Sequence, residues 1–168
     1  MTLRCTAKLL KLIGLNPRDL ENLSSEERRF EWHAKLIWLD RRKCLLFTHS
    51  LTLFSFLVPD VLKYQLNPIG RLFINHLKIE LESEQLPISA FGPLELSKVF
   101  LSTTSDRSVL GSMNDLARQC DFAIRSAGGL WELDVSDLNR QLRRTPLGSL
   151  NYSFPIDRTQ ELVRDSSL

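Results

Sequence analysis

The stretch between Cys44 and Pro59 most constrains the fold of this chain, because it contains no Asp, Glu, Lys or Arg. It belongs to a longer apolar segment, residues 32–58, that is rich in aromatic and branched side chains. Such a composition favours pleated strands with at least one buried face. Two polar turn signals, residues 40–43 and 48–50, divide the segment into three runs of strand length. The segment therefore predicts a three-stranded antiparallel meander. We expect Trp38, Leu46 and Phe54 to be buried in it, one on each strand.

Three later segments have the periodicity of amphipathic helices. Apolar residues recur at helical spacing in residues 68–85, in a segment from Asp106 or Ser108 to Gly128, and in residues 134–144. A shorter helix is predicted for residues 7–13 and a fourth strand for residues 99–103. The acidic residues Glu80, Glu82 and Glu84 are predicted to mark a solvated helix end. The predicted fold is α+β: a small antiparallel sheet, the meander plus one or two further strands, packed by three main helices.

The length of 168 residues is typical of one compact domain. We assign residues 1–146 to a single α+β domain. Residues 147–168 form a C-terminal tail that is ordered at most in part, with a short helix near residues 159–163. The polar residues 16–30 are predicted to be a solvated linker with a turn of helix from Ser24.

Charge and cysteine content exclude several classes of protein. Lys and Arg number 22 against 20 Asp and Glu, so the net charge of +2 gives no general attraction to nucleic acid or membranes. Three isolated cysteines predict buried, reduced thiols rather than disulfides. The His and Cys residues lack metal-ligand spacing, and no phosphate-binding glycine motif is present. We expect no cofactor, no metal and no membrane association, and a cytoplasmic location.

The helix that begins near Asp106 carries the most unusual polar surface. Arg107, Asn114, Arg118, Asp121 and Arg125 fall within about 60° of one another on a helical wheel, beside the apolar face. Asp121 is expected to pair with Arg118 and Arg125. One interpretation is a self-neutralising stripe that needs no partner, and the other is the rim of an interface or the wall of a shallow pocket shared with the meander. The candidate interaction residues are Arg107, Asn114, Asp115, Arg118, Phe122 and Arg125.

Three details of this helix are open to test. Phe122 either packs under the C-terminal segment or anchors a partner. We expect Gly111 where a Cβ atom would collide with a neighbouring strand. Asn114 and Asp115 are expected to bond to loop backbone.

Two basic clusters are candidates for nucleic-acid binding. Arg41, Arg42 and Lys43 occupy a predicted hairpin turn, and a helical stripe is predicted on the outer face of residues 134–144. The stripe consists of Arg140, Arg143 and Arg144. Together the clusters would neutralise several phosphates. The alternative is that these charges serve solubility. No exposed aromatic platform is predicted beside either cluster, which argues against base stacking.

Catalysis is the third alternative, although no catalytic motif is present. A hydrolase or nuclease site near the Asp106 helix would use His33 as its base. A tight cleft that holds His33 beside Asp106, Asn114 or Asp115 would support this hypothesis.

Several short motifs resemble a bacterial domain of unknown function. They are Leu3-Arg4-Cys5-Thr6 with Lys8-Leu9-Leu10, Trp32-His33-Ala34, Asp40-Arg41-Arg42-Lys43, the stretch from Asp106 to Leu116, and Asn139 with Thr145-Pro146. The resemblance covers about residues 3–146. It implies a prokaryotic, plasmid or other mobile-element origin, and it implies no activity, cofactor or catalytic residue.

The sequence therefore favours a non-enzymatic interaction or regulatory protein, of an antitoxin-like or defence-related kind. Its expected partner is another protein, and its oligomeric state is open. The alternatives are a nucleic-acid-binding protein that uses the clustered arginines, and a hydrolase or nuclease.

Overall fold

The computed structural model describes residues 1–21 and 27–166. Five strands and five α-helices lie within these ranges. The strands are β1 (Thr2–Cys5), β2 (Glu31–Leu39), β3 (Arg42–His49), β4 (Ser55–Val58) and β5 (Phe100–Thr103). The helices are α1 (Ala7–Ile13), α2 (Ile69–Ser83), α3 (Arg107–Ala127), α4 (Val135–Arg143) and α5 (Pro155–Ser166). Of the predicted linker, Pro17–Asp19 and Arg28–Phe30 form short 3-10 turns, and the turn predicted from Ser24 lies outside the described residues.

All five strands form one mixed sheet in the order β4-β3-β2-β1-β5. The predicted meander is confirmed, because β2, β3 and β4 pair antiparallel. The prediction of a wholly antiparallel sheet was wrong, because β1 runs parallel to both β2 and β5. Parallel neighbours need a crossover, and α1 lies in the connection from β1 to β2. β1 and β5 have four residues each, too few to reveal their direction from sequence.

Each face of the sheet covers its own apolar core. On the α2 face, Trp32 and Phe47 pack with Phe73 and Leu77 of α2. The opposite, α3 face packs apolar strand residues against Met113, Leu116, Cys120 and Ile124 of α3, as the helical periodicity predicted. A sheet buried on both sides explains why the run from Cys44 to Pro59 carries no charged residue and is mostly apolar on both faces of its strands. The three cysteines are buried thiols, as predicted.

The expectation for Trp38, Leu46 and Phe54 was only partly right. Leu46 and Phe54 are buried, but they belong to cores on opposite faces, and Phe54 directly precedes β4. Trp38 is 61% exposed. It lies near the end of β2, beside the hairpin turn, where the Lys43 Nζ atom is 5.7 Å from its ring centroid. The alternation of side chains along β2 buries Trp32, Ala34 and, in part, Leu36. Trp38 is exposed although it continues this alternation, because it lies next to the hairpin turn at the end of the strand.

The ends of α3 follow local capping rules. The Asp106 carboxylate accepts hydrogen bonds from the backbone N–H groups of Ser108 and Val109, at 3.0 and 3.1 Å, so Asp106, one of the two starts predicted for this helix, is its N-cap. Gly128 ends the helix in the left-handed conformation with φ 96°. The prediction for Gly111 was wrong: a Cβ atom built there meets nothing within 4 Å. No contact within the described residues explains this glycine.

Helix α4 covers the outer edge of β4 through its polar face. The Asn139 side chain bonds to both the N–H and the carbonyl oxygen of Leu57, at 2.7 and 3.2 Å, as a neighbouring strand would. Arg143 is fully buried and donates to Glu80 at 2.7 Å and to Glu84 at 2.8 Å. The predictions that Arg143 is outward-facing and that Glu80 and Glu84 are solvated were therefore wrong. These charges face inward because they neutralise one another between α2 and α4.

The C-terminal segment is more regular than the sequence indicated. Helix α5 extends well beyond the predicted residues 159–163, and it buries Ile156 against the core on the α2 face. Leu162 and Val163 pack partly against the same core. Residues 167 and 168 lie outside the described residues.

The buried ion cluster between α2 and α4 generates a stability prediction. Replacing Arg143 by Met leaves the buried Glu80 carboxylate without its guanidinium, so the free energy of unfolding should fall by about 3–5 kcal/mol. Arg140→Met, on the exposed side of the same helix, should change it by no more than about 0.5 kcal/mol. Urea unfolding of both variants measures the difference. Equal values for the two variants would show that the cluster does not hold α4 in place.

Candidate interaction surface and buried polar network

The six predicted interaction residues lie on one exposed face of α3. All six side chains are solvent-exposed, and they follow the helix from its first residue to its last turn. We call this surface the outer face of α3; it consists of Arg107, Gly111, Asn114, Asp115, Arg118, Phe122 and Arg125. The opposite face of α3 packs on the sheet, so the predicted division of the helix into a core face and a polar face is correct.

The charges on the outer face of α3 pair partly as predicted. Arg125 pairs with Asp121 at 3.0 Å, whereas Arg118 pairs with Asp115 at 2.9 Å rather than with Asp121. The Asn114 side chain accepts a hydrogen bond from the Lys35 ammonium of β2. The expectation that Asn114 and Asp115 bond to loop backbone was wrong, because the side chains of Lys35 and Arg118 bind them instead.

Phe122 is 74% exposed, so it does not pack under the C-terminal segment. It stands between two grooves. The groove of about 360 Å³ toward β2 has an apolar floor that includes Ile37, Leu39 and Ala117. The groove of about 520 Å³ toward α4 is lined by Ala123, Leu138 and Leu142, among others. Phe122 lines both grooves, so its exposed ring borders two partly apolar concavities.

A third groove, of about 470 Å³, continues this surface to the β2–β3 hairpin. It is lined by Trp38, Asp40, Arg41, Asp121, Ile124, Arg125, Gly128 and Gly129. The Asp40 carboxylate accepts from the backbone N–H of Leu130 at 3.0 Å, which fixes the hairpin to the loop after α3. We call this region the Trp38 surface; it consists of Trp38, Arg41, Lys43, Asp121 and Arg125. The prediction that no aromatic platform lies beside the hairpin cations was wrong, because Trp38 is exposed and Lys43 lies over its ring.

The predicted stripe of Arg140, Arg143 and Arg144 does not present all three cations for binding to phosphates. Arg143 is buried, and Arg144 is held by Glu84 at 2.6 Å. Burial raises the pKa of Glu84, but hydrogen bonds and charge from Arg144 and Arg143 outweigh it and leave the pKa below its usual value. Of the hairpin cluster, Arg42 is 3.5 Å from Asp60. The helical stripe therefore contributes Arg140 and the exposed part of Arg144 to any phosphate contact.

A row of buried polar residues crosses the α3 face of the sheet, and sequence reasoning missed it. The row has one member on each of the five strands: Ser102, Arg4, His33, Thr48 and Ser55 occupy paired positions. All five are buried. The available signal was the recurrence of polar residues at alternate positions of strands that are otherwise apolar.

Glu31 and Arg4 are the charged centre of this network. The Arg4 guanidinium is 2.7 Å from the Glu31 carboxylate and also donates to the Thr103 carbonyl at 3.0 Å. The Ser50 hydroxyl donates to Glu31 at 2.9 Å. These bonds join β1, β2, β5 and the turn after β3, so the network ties together strands that are distant in sequence.

His33 links the network to the start of α3. Its Nε2 atom is 3.0 Å from the Ser50 hydroxyl, and its Nδ1 atom is 2.8 Å from the Thr104 hydroxyl. Because the Ser50 proton is directed to Glu31, Nε2 must carry a proton and donate to Ser50, and Nδ1 accepts from Thr104. A His33 ring in this tautomer does not act as a base toward Ser50.

The catalytic hypothesis required His33 in a cleft beside Asp106, Asn114 or Asp115. Burial lowers the pKa of His33, and the nearby charges of Glu31 and, to a smaller extent, Asp106 only partly offset this effect. Asn114 and Asp115 lie on the outer face of α3. The His33 ring itself is fully buried. A pocket of about 210 Å³ reaches Ser50 and is bordered by the ion pair of Arg28 and Asp106, whose atoms are 2.7 Å apart.

The structure defines an α+β domain with a mixed five-stranded sheet between helices and an exposed aromatic and charged surface on α3 and the adjacent hairpin. A family model for a domain of unknown function, DUF6933, matches residues 2–158, and the chain belongs to this family. The match extends past residue 146, where the predicted resemblance ended. No curated protein and no solved structure matches the chain.

Two features are absent from residues 1–21 and 27–166. Within these ranges, no helix has both the length and the hydropathy to cross a bilayer. No group of three or more His, Cys, Asp or Glu side chains in the same ranges is arranged to hold a metal ion.

The buried His49 ring predicts a dependence of stability on pH. Burial lowers the pKa of His49 to about 3, and the ring donates to the Arg29 carbonyl at 2.8 Å. The unfolded chain binds a proton at this residue below about pH 6.5, and the folded chain does not, so stability is lost as the pH falls. His49 should therefore lower the free energy of unfolding by about 1.4 kcal/mol for each pH unit below about pH 6.5.

Urea unfolding between pH 7 and pH 4 measures this dependence. His49→Gln should flatten it by about one proton, and the half-buried His76, changed to Gln, should flatten it less. An unchanged slope in His49→Gln would contradict the assignment of a neutral, buried ring.

Proposed function

We propose that this protein is a non-enzymatic interaction protein that binds another protein at the Trp38 surface. The observation that carries the proposal is the exposed Trp38 ring beside a groove that ends on Arg125 of α3. Trp and Arg are the residues that most often dominate protein interfaces, since they combine large apolar area with directional hydrogen bonding. The adjoining groove adds the apolar floor of Ile37 and Leu39, which a partner side chain would fill.

The mixture of charges supports a protein partner. Arg41 and Arg125 line the groove together with Asp40 and Asp121, and Lys43 lies over the Trp38 ring beside it. Carboxylates repel phosphates, whereas a protein surface can supply both cations and anions to match such a rim. An apolar centre with a rim of both signs is the arrangement that specific protein interfaces have.

The buried polar network supports a binding role rather than catalysis. Its His33 ring is buried and donates to Ser50, and the serine proton is directed to Glu31. A catalytic base needs access to a substrate and a lone pair aimed at the proton it removes. The interaction hypothesis includes the regulatory, antitoxin-like or defence-related roles and the mobile-element origin expected from sequence.

A second candidate is binding of single-stranded nucleic acid at the same surface. It is favoured by one observation, the Lys43 ammonium 5.7 Å from the centroid of the exposed Trp38 ring. Aromatic rings flanked by cations stack on bases while the cations neutralise phosphates. Arg41 is next to this pair in the hairpin.

Capture of partners by the tagged protein from its native host tests both candidates. Trp38→Ala should reduce capture of a specific protein by about tenfold or more, as loss of a central aromatic anchor does. Trp131→Ala is the matched control, since Trp131 is 65% exposed but outside the Trp38 surface. Both variants should melt at the temperature of the parent protein.

Nuclease treatment separates the two candidates. Capture that survives nuclease and depends on Trp38 supports a protein partner. Capture that nuclease abolishes, with a steep dependence on salt, would instead identify nucleic acid. Equal capture by Trp38→Ala and Trp131→Ala would contradict both.

A further inference from the structure

Two unusual residues lie on the outer face of α3, about three helical turns apart and within about 20° of each other around the helix. Phe122 is 74% exposed, the largest exposed apolar side chain of this helix. Gly111 lies in the open, where a Cβ atom would meet nothing within 4 Å. Glycine is unfavourable in a helix interior, and nothing in the described part of the chain accounts for it. The Phe122 ring therefore projects from this face, whereas Gly111 leaves the helix backbone uncovered.

Gly111 and Phe122 have the same midpoint along α3 as a pair of opposite charges, Asp115 and Arg118. The midpoint between Gly111 and Phe122 falls between Leu116 and Ala117, and so does the midpoint between Asp115 and Arg118. When two identical helices pack antiparallel about a two-fold axis, each residue faces the one at the same distance on the other side of the midpoint. One axis therefore places Phe122 opposite Gly111 and Asp115 opposite Arg118.

We propose that a second copy of this chain packs on the outer face of α3, with the two α3 helices antiparallel about this midpoint. Each Phe122 ring then lies on the second copy's Gly111, where the missing side chain lets the ring approach the helix backbone. Each Asp115 faces the second copy's Arg118. Within one chain these two charges already pair at 2.9 Å, and the side chains are 61% and 78% exposed, so both are accessible to a second copy.

Charge complementarity favours a second copy of the chain as the partner, and it favours the alignment that places Asp115 opposite Arg118. The face is complementary to itself because it carries a projection, a flat site and both signs of charge. An axis centred at Arg118 would instead place the two copies of Arg118 against each other, which is repulsive. The dimer interface shares Arg118 and Phe122 with the groove that adjoins the Trp38 surface, but it does not include Trp38. The dimer therefore goes beyond the proposed function and does not rest on it.

Sedimentation velocity of the full chain over a concentration series tests the proposal. The parent protein should form dimers. Asp115→Arg and Arg118→Asp should each dimerise at least tenfold more weakly, because each places like charges opposite each other twice. An equimolar mixture of the two variants should recover dimers, because both pairs across the axis are then of opposite charge.

Glycine variants provide a second readout that separates packing from folding. Gly111→Leu should dimerise at least tenfold more weakly, yet melt at the same or a higher temperature in dilute solution, since leucine is a better helix former. Gly148→Leu is the control, because Gly148 is also exposed with no atom within 4 Å of a Cβ. It should dimerise like the parent protein.

Three results would overturn the dimer: a parent protein that stays monomeric throughout the series, a variant mixture no more dimeric than its components, or a Gly111→Leu variant that dimerises like the parent. Trp38→Ala should dimerise normally. Failure of partner capture at Trp38 and failure of dimerisation are thus separate outcomes.

Discussion

The ion pair of Arg4 and Glu31 is the interaction on which most of this structure depends. Both side chains are buried, on neighbouring parallel strands, with 2.7 Å between the charged atoms. A buried charge is tolerated only when its partner and its hydrogen bonds are complete. Here β5 supplies the Thr103 carbonyl to Arg4, and the turn after β3 supplies the Ser50 hydroxyl to Glu31. Strands that are far apart in sequence therefore have to assemble together.

This network also determines how α3 is positioned. His33 bonds to Thr104, just before the helix, and Arg28 joins the Ser50 carbonyl to the Asp106 cap. The start of α3 is fixed by polar contacts, and its middle packs on the apolar part of the α3 face. Because the inner side of α3 is fully used in this way, only the outer face with Phe122 and the neighbouring Trp38 surface stay exposed on this part of the described structure.

The sequence predicted local features well and long-range polar pairing poorly. The meander, the start and end of α3 and its core face depend on neighbouring residues, and these predictions were confirmed. Arg143 and Glu80 were predicted to be solvated because most charged residues lie on the protein surface. Their pairing joins α4 to α2, two helices that are far apart in sequence, so no local sequence pattern indicates it. The network around Glu31 was missed for the same reason, since no spacing rule connects Arg4, His33 and Ser50. The candidate residues on α3 were placed correctly on one exposed face, but Trp38 was expected in the core, so the Trp38 surface could not be predicted.

The most direct measurement of this account is the tautomer of His33, read from the side-chain nitrogen shifts in a long-range ¹H–¹⁵N spectrum near neutral pH. A structural network predicts a neutral ring with the proton on Nε2 and an unprotonated Nδ1, because Ser50 donates to Glu31 and Thr104 donates to Nδ1. A proton on Nδ1 alone, with Nε2 accepting from Ser50, would make the serine a candidate nucleophile. That result would contradict the structural role of the network and weaken the proposal that α3 and its hairpin form a binding surface.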